Sequence, residues 1–92
     1  MNLQQLRALI VEVIGDVAPE ADLARIDPGV SFHDQFEIDS VDYLTIMMTL
    51  EARLGVAIPE ADYPKLSSLD GCIHYLQPKL QQPAQKAPAR SP

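Results

Sequence analysis

The residues of this sequence that could do chemistry lie around Ser40, where a polar stretch runs into a long, periodic apolar segment. Asp39 is suited to be a helix N-cap, and Asp42, three residues later, can reach back as the second half of a capping box. Ser40 then becomes the first helical residue. Its hydroxyl would face solvent at the positive end of a helix dipole, which favours the attachment of a phosphate.

No set of residues for independent catalysis accompanies Ser40. The two histidines, His33 and His74, form neither an HxxxH nor an HExxH metal pattern. Ser40 lies outside a Gly-x-Ser-x-Gly setting, and Cys72 is the single cysteine, without companions at metal-ligand spacing. Helix capping explains the spacing of the two aspartates around the serine. We therefore expect a protein that is not an enzyme and that binds no metal ion by itself.

The sequence around Ser40 resembles the modification site of acyl carrier proteins. In that family an Asp-Ser-Leu-like triplet opens the second helix, and the serine bears a 4′-phosphopantetheine arm. The triplet here is Asp39-Ser40-Val41, and the resemblance extends over roughly residues 3–77. It continues in register through several further segments: Ser31-Phe32, Leu50-Glu51, Val56–Glu60, Lys65–Leu69 and Ile73–Leu76.

The resemblance implies a carrier protein that separate enzymes modify and use. A phosphopantetheinyl transferase would attach the arm from coenzyme A to Ser40, and Asp39 would help to hold magnesium in the transferase complex. The thiol of the arm would carry acyl groups as thioesters. Acyl-loading, acyl-transfer or condensing enzymes of a fatty acid, polyketide or other lipid-related pathway would be the partners. A peptidyl or aminoacyl carrier protein and a non-acylated helical docking module remain as alternatives.

Apolar periodicity predicts an all-α fold. Residues 18–38 form a long loop between the first two helices, and Pro78 is expected to end the fourth. Together with the resemblance, this gives an acyl-carrier-protein-like four-helix bundle with three main helices and a short third helix. The expected helices span residues 3–17, 40–54, 60–66 and 69–77.

The apolar stripes predict an aliphatic core, because aromatic residues are scarce and Trp is absent. Leu3 opens the stripe of the first helix, and Cys72 is expected to be buried in the fourth. On the second helix the expected inward residues are Leu44, Met47, Leu50 and Leu54. We also expect the core to open partly for an acyl chain of medium length, at Leu44, Met47, Leu50, Ile58 and Leu66.

A second face of the second helix carries apolar residues that the core does not need, and it begins beside Ser40. Glu37 occupies a position where acyl carrier proteins usually have Gly. Thr45 lies on the second helix, which in that family often carries many acidic residues. These departures favour a specialised carrier over one that serves bulk fatty acid synthesis. The predicted partner-docking residues are Glu37, Val41, Asp42, Thr45, Met48, Glu60 and Asp62.

The 92 residues allow one small domain, with a formal net charge of −6. Residues 1–77 hold all 13 acidic residues and four basic ones, a net charge of −9, whereas residues 78–92 hold three basic residues and no acid, a net charge of +3. We expect a helical domain over residues 1–77 and a disordered tail over 78–92. The acidic domain disfavours nucleic acid. No apolar run reaches membrane-spanning length and no secretory signal is evident, so a cytoplasmic monomer is expected.

Overall fold

The structure, a computed structural model, describes residues 1–81 of the chain, and within them every regular element is helical. The all-α expectation is therefore confirmed. The elements in chain order are α1 (Leu3–Val17), a 3₁₀ turn (Leu23–Arg25), α2 (Phe32–Gln35), α3 (Ser40–Leu54), a 3₁₀ helix (Glu60–Leu66) and α4 (Leu69–Leu80). Helix α1 packs against the two other long helices, α3 and α4, and α4 also packs against the 3₁₀ helix that precedes it.

Helix α1 begins with a reciprocal capping box. The Asn2 side chain accepts from the Gln5 N–H group at 2.8 Å, and the Gln5 side chain accepts from the Asn2 N–H group at 2.9 Å. The predicted stripe is buried from Leu6 to Ile14, and Val17 is partly buried against the core. The inward placement of Leu3 was wrong, since 48% of that residue is exposed. Helical side chains point back toward the N-terminus, so a residue in the first turn projects beyond the layer that would cover it.

The connection between α1 and α3 is anchored by Phe32, which is fully buried. It contains the short helix α2, capped by the Ser31 side chain, at a place where the sequence predicts a loop. Two backbone hydrogen bonds tie this connection to the start of α4. The Phe32 N–H group donates to the Ser67 carbonyl at 2.7 Å, and the Asp70 N–H group donates to the Pro28 carbonyl at 3.0 Å.

Helix α3 has the predicted boundaries and ends at Gly55, whose left-handed conformation (φ 68°) suits glycine. Its buried residues are Ile46, Met47 and Leu50. The inward placement of Leu44 was wrong, because 41% of it is exposed. At 3.6 residues per turn, Leu44 lies roughly 110° around the helix axis from the centre of the buried stripe.

Helix α4 begins at the N-cap Ser68, whose hydroxyl accepts from the Gly71 N–H group at 3.0 Å. The expected end at Pro78 was wrong, since the helix continues to Leu80. A proline fixes a φ angle that a helix accepts and removes one donor, and the partly buried Leu80 packs against the core in the extra turn. The remainder of the predicted tail, residues 82–92, lies outside the described residues.

Cys72 is buried, as expected, and its thiol donates to the Leu66 carbonyl at 3.3 Å. Burial raises the pKa of this thiol to about 12, so it stays protonated at neutral pH. None of the helices within residues 1–81 is both long and apolar enough to cross a membrane.

Gly71 lets α4 approach the 3₁₀ helix closely, because a Cβ atom at this position would overlap the Lys65 carbonyl oxygen. We expect Gly71→Ala to lower the free energy of unfolding by about 1–3 kcal/mol, the usual cost of overpacking, even though alanine is the better helix former. Urea denaturation measures the loss. The exposed His74→Ala on the same helix is the control, with a change within about 0.5 kcal/mol. A Gly71→Ala variant as stable as the wild type would contradict this packing.

Candidate functional site

The start of α3 has the predicted capping box. The Asp39 carboxylate accepts from the Asp42 N–H group at 2.9 Å, and the Asp42 carboxylate accepts from the Asp39 N–H group at 3.2 Å. Both aspartates therefore fix the helix start, and Ser40 is its first residue. Ser40 is exposed, so a bulky group attached to its hydroxyl would displace no buried side chain.

Ser40 lines a surface groove of about 570 Å³ between α3 and the 3₁₀ helix. This volume is within the range of small-molecule sites, about 300–1,000 Å³. The groove was not predicted from the sequence, although the position of Tyr43 one turn after Ser40 was a signal for it. The lining residues are His33, Ser40, Val41, Tyr43, Leu44, Glu60, Tyr63, Pro64 and Ser67.

Tyr43 is the residue that joins the two walls of the groove. Its hydroxyl donates to the Tyr63 carbonyl at 2.5 Å, and the two rings meet edge to face with centroids 6.2 Å apart. On the other side, the His33 ring lies 5.1 Å from the Tyr43 ring. Burial is the largest cause that raises the pKa of Tyr43 to about 12, so the hydroxyl remains a donor at neutral pH.

The second face predicted for α3 is exposed. Val41 is 69% exposed and Met48 is 57% exposed, and Leu44 extends this apolar surface toward the groove. Thr45 lies on the same exposed side, and its hydroxyl donates to the Val41 carbonyl at 2.9 Å, so its side chain is held along the helix. The surface is continuous with Ser40 through Val41, which also lines the groove.

The predicted docking acids have different surroundings. Glu37 and Glu60 are exposed, whereas Asp42 is engaged in the capping box. Asp62 accepts from the Tyr75 hydroxyl at 2.6 Å, and this bond is the largest cause that lowers the pKa of Asp62. Asp62 also lies 3.5 Å from the Lys65 ammonium group. Asp62 therefore joins the 3₁₀ helix to α4 in addition to contributing charge at the surface.

Within residues 1–81, no group of three or more His, Cys, Asp or Glu side chains is arranged to hold a metal ion. His33 and His74 lie on α2 and α4, and only His33 lines the groove. The arrangement beside Ser40 is thus an exposed hydroxyl at a rigid helix start, next to a small groove and an apolar helix face.

These features are those of a small helical carrier, and the family comparison gives the same class. The sequence model described as the phosphopantetheine attachment site matches residues 4–76. The chain belongs to this phosphopantetheine-binding family of acyl carrier proteins. It is accordingly a carrier and not a catalyst, and its cofactor is 4′-phosphopantetheine.

Curated relatives are similar over most of their length. The chain is 30% identical over 80 residues to polyketide-8 synthase acyl carrier protein 2 of Streptomyces avermitilis, covering 87% of this chain and 86% of that protein. It is 26% identical over 73 residues to the acyl carrier proteins of Myxococcus xanthus and Micrococcus luteus. These matches cover 79% of this chain and 91% and 89% of the two relatives. The resemblance to acyl carrier proteins is confirmed.

Proposed function

We propose that Ser40 carries the 4′-phosphopantetheine arm and that the chain is a discrete acyl carrier protein. The observation that carries the proposal is the exposed position of Ser40 as the first residue of α3, fixed by the Asp39 and Asp42 capping box. The residues fit the group, since the hydroxyl is accessible, backbone N–H groups of the helix start favour a phosphate, and a groove adjoins it. The arm supplies a thiol that holds an acyl group as a thioester.

The proposal assigns attachment to a separate phosphopantetheinyl transferase that uses coenzyme A. Asp39 would contribute to magnesium binding in that complex. One Asp39 oxygen already accepts from the Asp42 N–H group. A carboxylate has two oxygens with about four lone pairs, so capping leaves acceptor sites for a cation or its water.

The proposed pathway is a specialised one, in fatty acid, polyketide or other lipid-related synthesis. The predicted docking surface supports this proposal, because it combines the exposed apolar residues Val41 and Met48 with only a few acidic residues. A relative whose name includes a polyketide synthase agrees with such a pathway. We also propose that the protein is a cytoplasmic monomer that does not insert into membranes. Its acidic charge disfavours binding to nucleic acid.

Mass spectrometry of the intact protein, purified from its native cell, tests the proposal. We expect a population heavier by one phosphopantetheine group, and a fragment containing Ser40 that carries the whole increase. An acyl group on the arm identifies the cargo, whereas an aminoacyl or peptidyl group would replace the acyl assignment by the alternative carrier class. A protein that is unmodified throughout would favour the non-acylated docking module.

Met48→Ala is expected to weaken use of the carrier by the enzymes of its own pathway more than it weakens folding. Apolar side chains that fill partner pockets often contribute more than about 1 kcal/mol, which corresponds to a loss of roughly fivefold in kcat/KM. Because Met48 is exposed, the free energy of unfolding should change by less than about 0.5 kcal/mol. Steady-state kinetics with the loaded carrier as the varied substrate measures the first quantity, and urea denaturation measures the second.

Thr45→Glu is the matched variant on the same face. An added acid should raise the encounter rate with the basic surface of a housekeeping fatty acid synthase and make that pairing more sensitive to salt. A wild-type carrier that already serves the housekeeping synthase as well as that enzyme's own carrier would contradict the specialised pathway.

A further inference from the structure

The groove beside Ser40 and the core of the bundle are separate compartments in this structure. The groove is open to solvent and includes the exposed Leu44. Met47, Leu50 and Leu66 are fully buried, and Ile58 is 3% exposed. The Tyr43 ring lies between these compartments, because it lines the groove and packs against the core.

The positions along the chain show which core residues lie next to the groove. Met47 is one helical turn after Tyr43, so the two side chains share a face of α3. Leu66 lies in the 3₁₀ helix between two lining residues, Pro64 and Ser67. The Tyr43 hydroxyl bridges from α3 to the Tyr63 carbonyl of that 3₁₀ helix, so the two elements are joined where a chain from the groove would have to pass.

We infer that the Tyr43–Tyr63 contact is a latch that keeps an acyl group carried on Ser40 in the groove and out of the core. Tyr43 therefore sets the depth at which the cargo rests. This inference rests on the proposed attachment at Ser40. It changes the expectation from sequence, in which the acyl chain entered the core at Leu44, Met47, Leu50, Ile58 and Leu66.

The contacts around Tyr43 explain why the latch stays closed. The Tyr43 hydroxyl donates to the Tyr63 backbone carbonyl, which lies within the 3₁₀ helix, and the edge-to-face ring pair adds a second contact between the same two residues. Parting the walls would therefore break both contacts, whereas the groove already offers about 570 Å³ beside Ser40.

Octanoyl-loaded protein tests the latch. Octanoyl-coenzyme A and a broad phosphopantetheinyl transferase are used to load the wild type, Tyr43→Phe and Tyr43→Ala, and intact mass verifies the adduct. Tyr43→Phe removes only the hydroxyl and keeps the ring, so it remains informative if Tyr43→Ala is unfolded. Tyr75→Phe is the matched control, since it removes a tyrosine hydroxyl whose partner is Asp62 and which does not line the groove. Isotope-filtered nuclear Overhauser spectra then record contacts between the octanoyl chain and protein methyl groups.

In the wild type and in Tyr75→Phe we expect contacts to the Leu44 and Val41 methyl groups and none to Met47 or Leu66. Tyr43→Phe should gain contacts to Met47 and Leu66. Wild-type contacts to those two core residues, an unchanged pattern in Tyr43→Phe, or a chain without contact to Leu44 and Val41 would each overturn the latch while leaving the attachment intact. A wild type that acquires no octanoyl adduct would overturn the attachment at Ser40 and the latch with it, and the mass alone shows this.

Discussion

Phe32→Ala is expected to lower the free energy of unfolding by about 3–5 kcal/mol, the usual cost of removing a buried phenylalanine. Phe32 is the largest fully buried side chain of the described residues. Domains of this size have a total stability of roughly 4–12 kcal/mol, at about 0.05–0.15 kcal/mol per residue. The variant should therefore lose a large share of its stability, with a midpoint in urea far below that of the wild type.

The effect is large because Phe32 anchors the connection between α1 and α3 to the rest of the core. The Phe32 N–H group also donates to the Ser67 carbonyl beside the start of α4. Phe36, whose ring stacks on Phe32 at 6.3 Å but is only partly buried, is the matched control. A Phe36→Ala variant should lose clearly less stability. If the two variants cost the same, Phe32 is not the anchor of this connection.

The boundaries of α1 and α3 could be predicted from the sequence because local interactions determine them. The Asn2 and Asp39 caps each use a partner three residues away, and Gly55 ends α3 through its own backbone conformation. The exposure of Ser40 follows from the same local signals. For this reason the most important part of the candidate site was already visible in a short stretch of sequence.

The remaining features depend on tertiary contacts, which periodicity does not report. Leu44 is three residues from the buried Met47, yet the neighbouring helices cover a stripe centred nearer Tyr43 and Ile46. Pro78 is typical of a helix end, but α4 continues past it because Leu80 packs on the core. The groove likewise needs the 3₁₀ helix to approach α3, which the Tyr43 hydroxyl secures across 20 residues of chain.

Ser40→Ala is expected to abolish attachment of phosphopantetheine, since it removes the only atom that we propose as the acceptor. Folding should be nearly unchanged. Ser40 is exposed and alanine is favourable in a helix, so the free energy of unfolding should change by less than about 0.5 kcal/mol. The capping box is also preserved, because it uses the side chains of Asp39 and Asp42. Loss of modification would therefore report the missing hydroxyl and not a disordered site.

Ser67→Ala is the matched control, because Ser67 also lines the groove. Ser67 follows the 3₁₀ helix on the opposite wall, outside the helix start that we propose for attachment, so the variant should be modified as completely as the wild type. The pair distinguishes a requirement for Ser40 from a general effect of removing a hydroxyl at the groove.

The most direct measurement is the intact mass of the wild type, Ser40→Ala and Ser67→Ala after incubation with coenzyme A and a broad phosphopantetheinyl transferase. We expect the wild type and Ser67→Ala to gain the mass of one phosphopantetheine group, and Ser40→Ala to gain nothing while remaining folded. A folded Ser40→Ala variant that still gains this mass would contradict the assignment of Ser40.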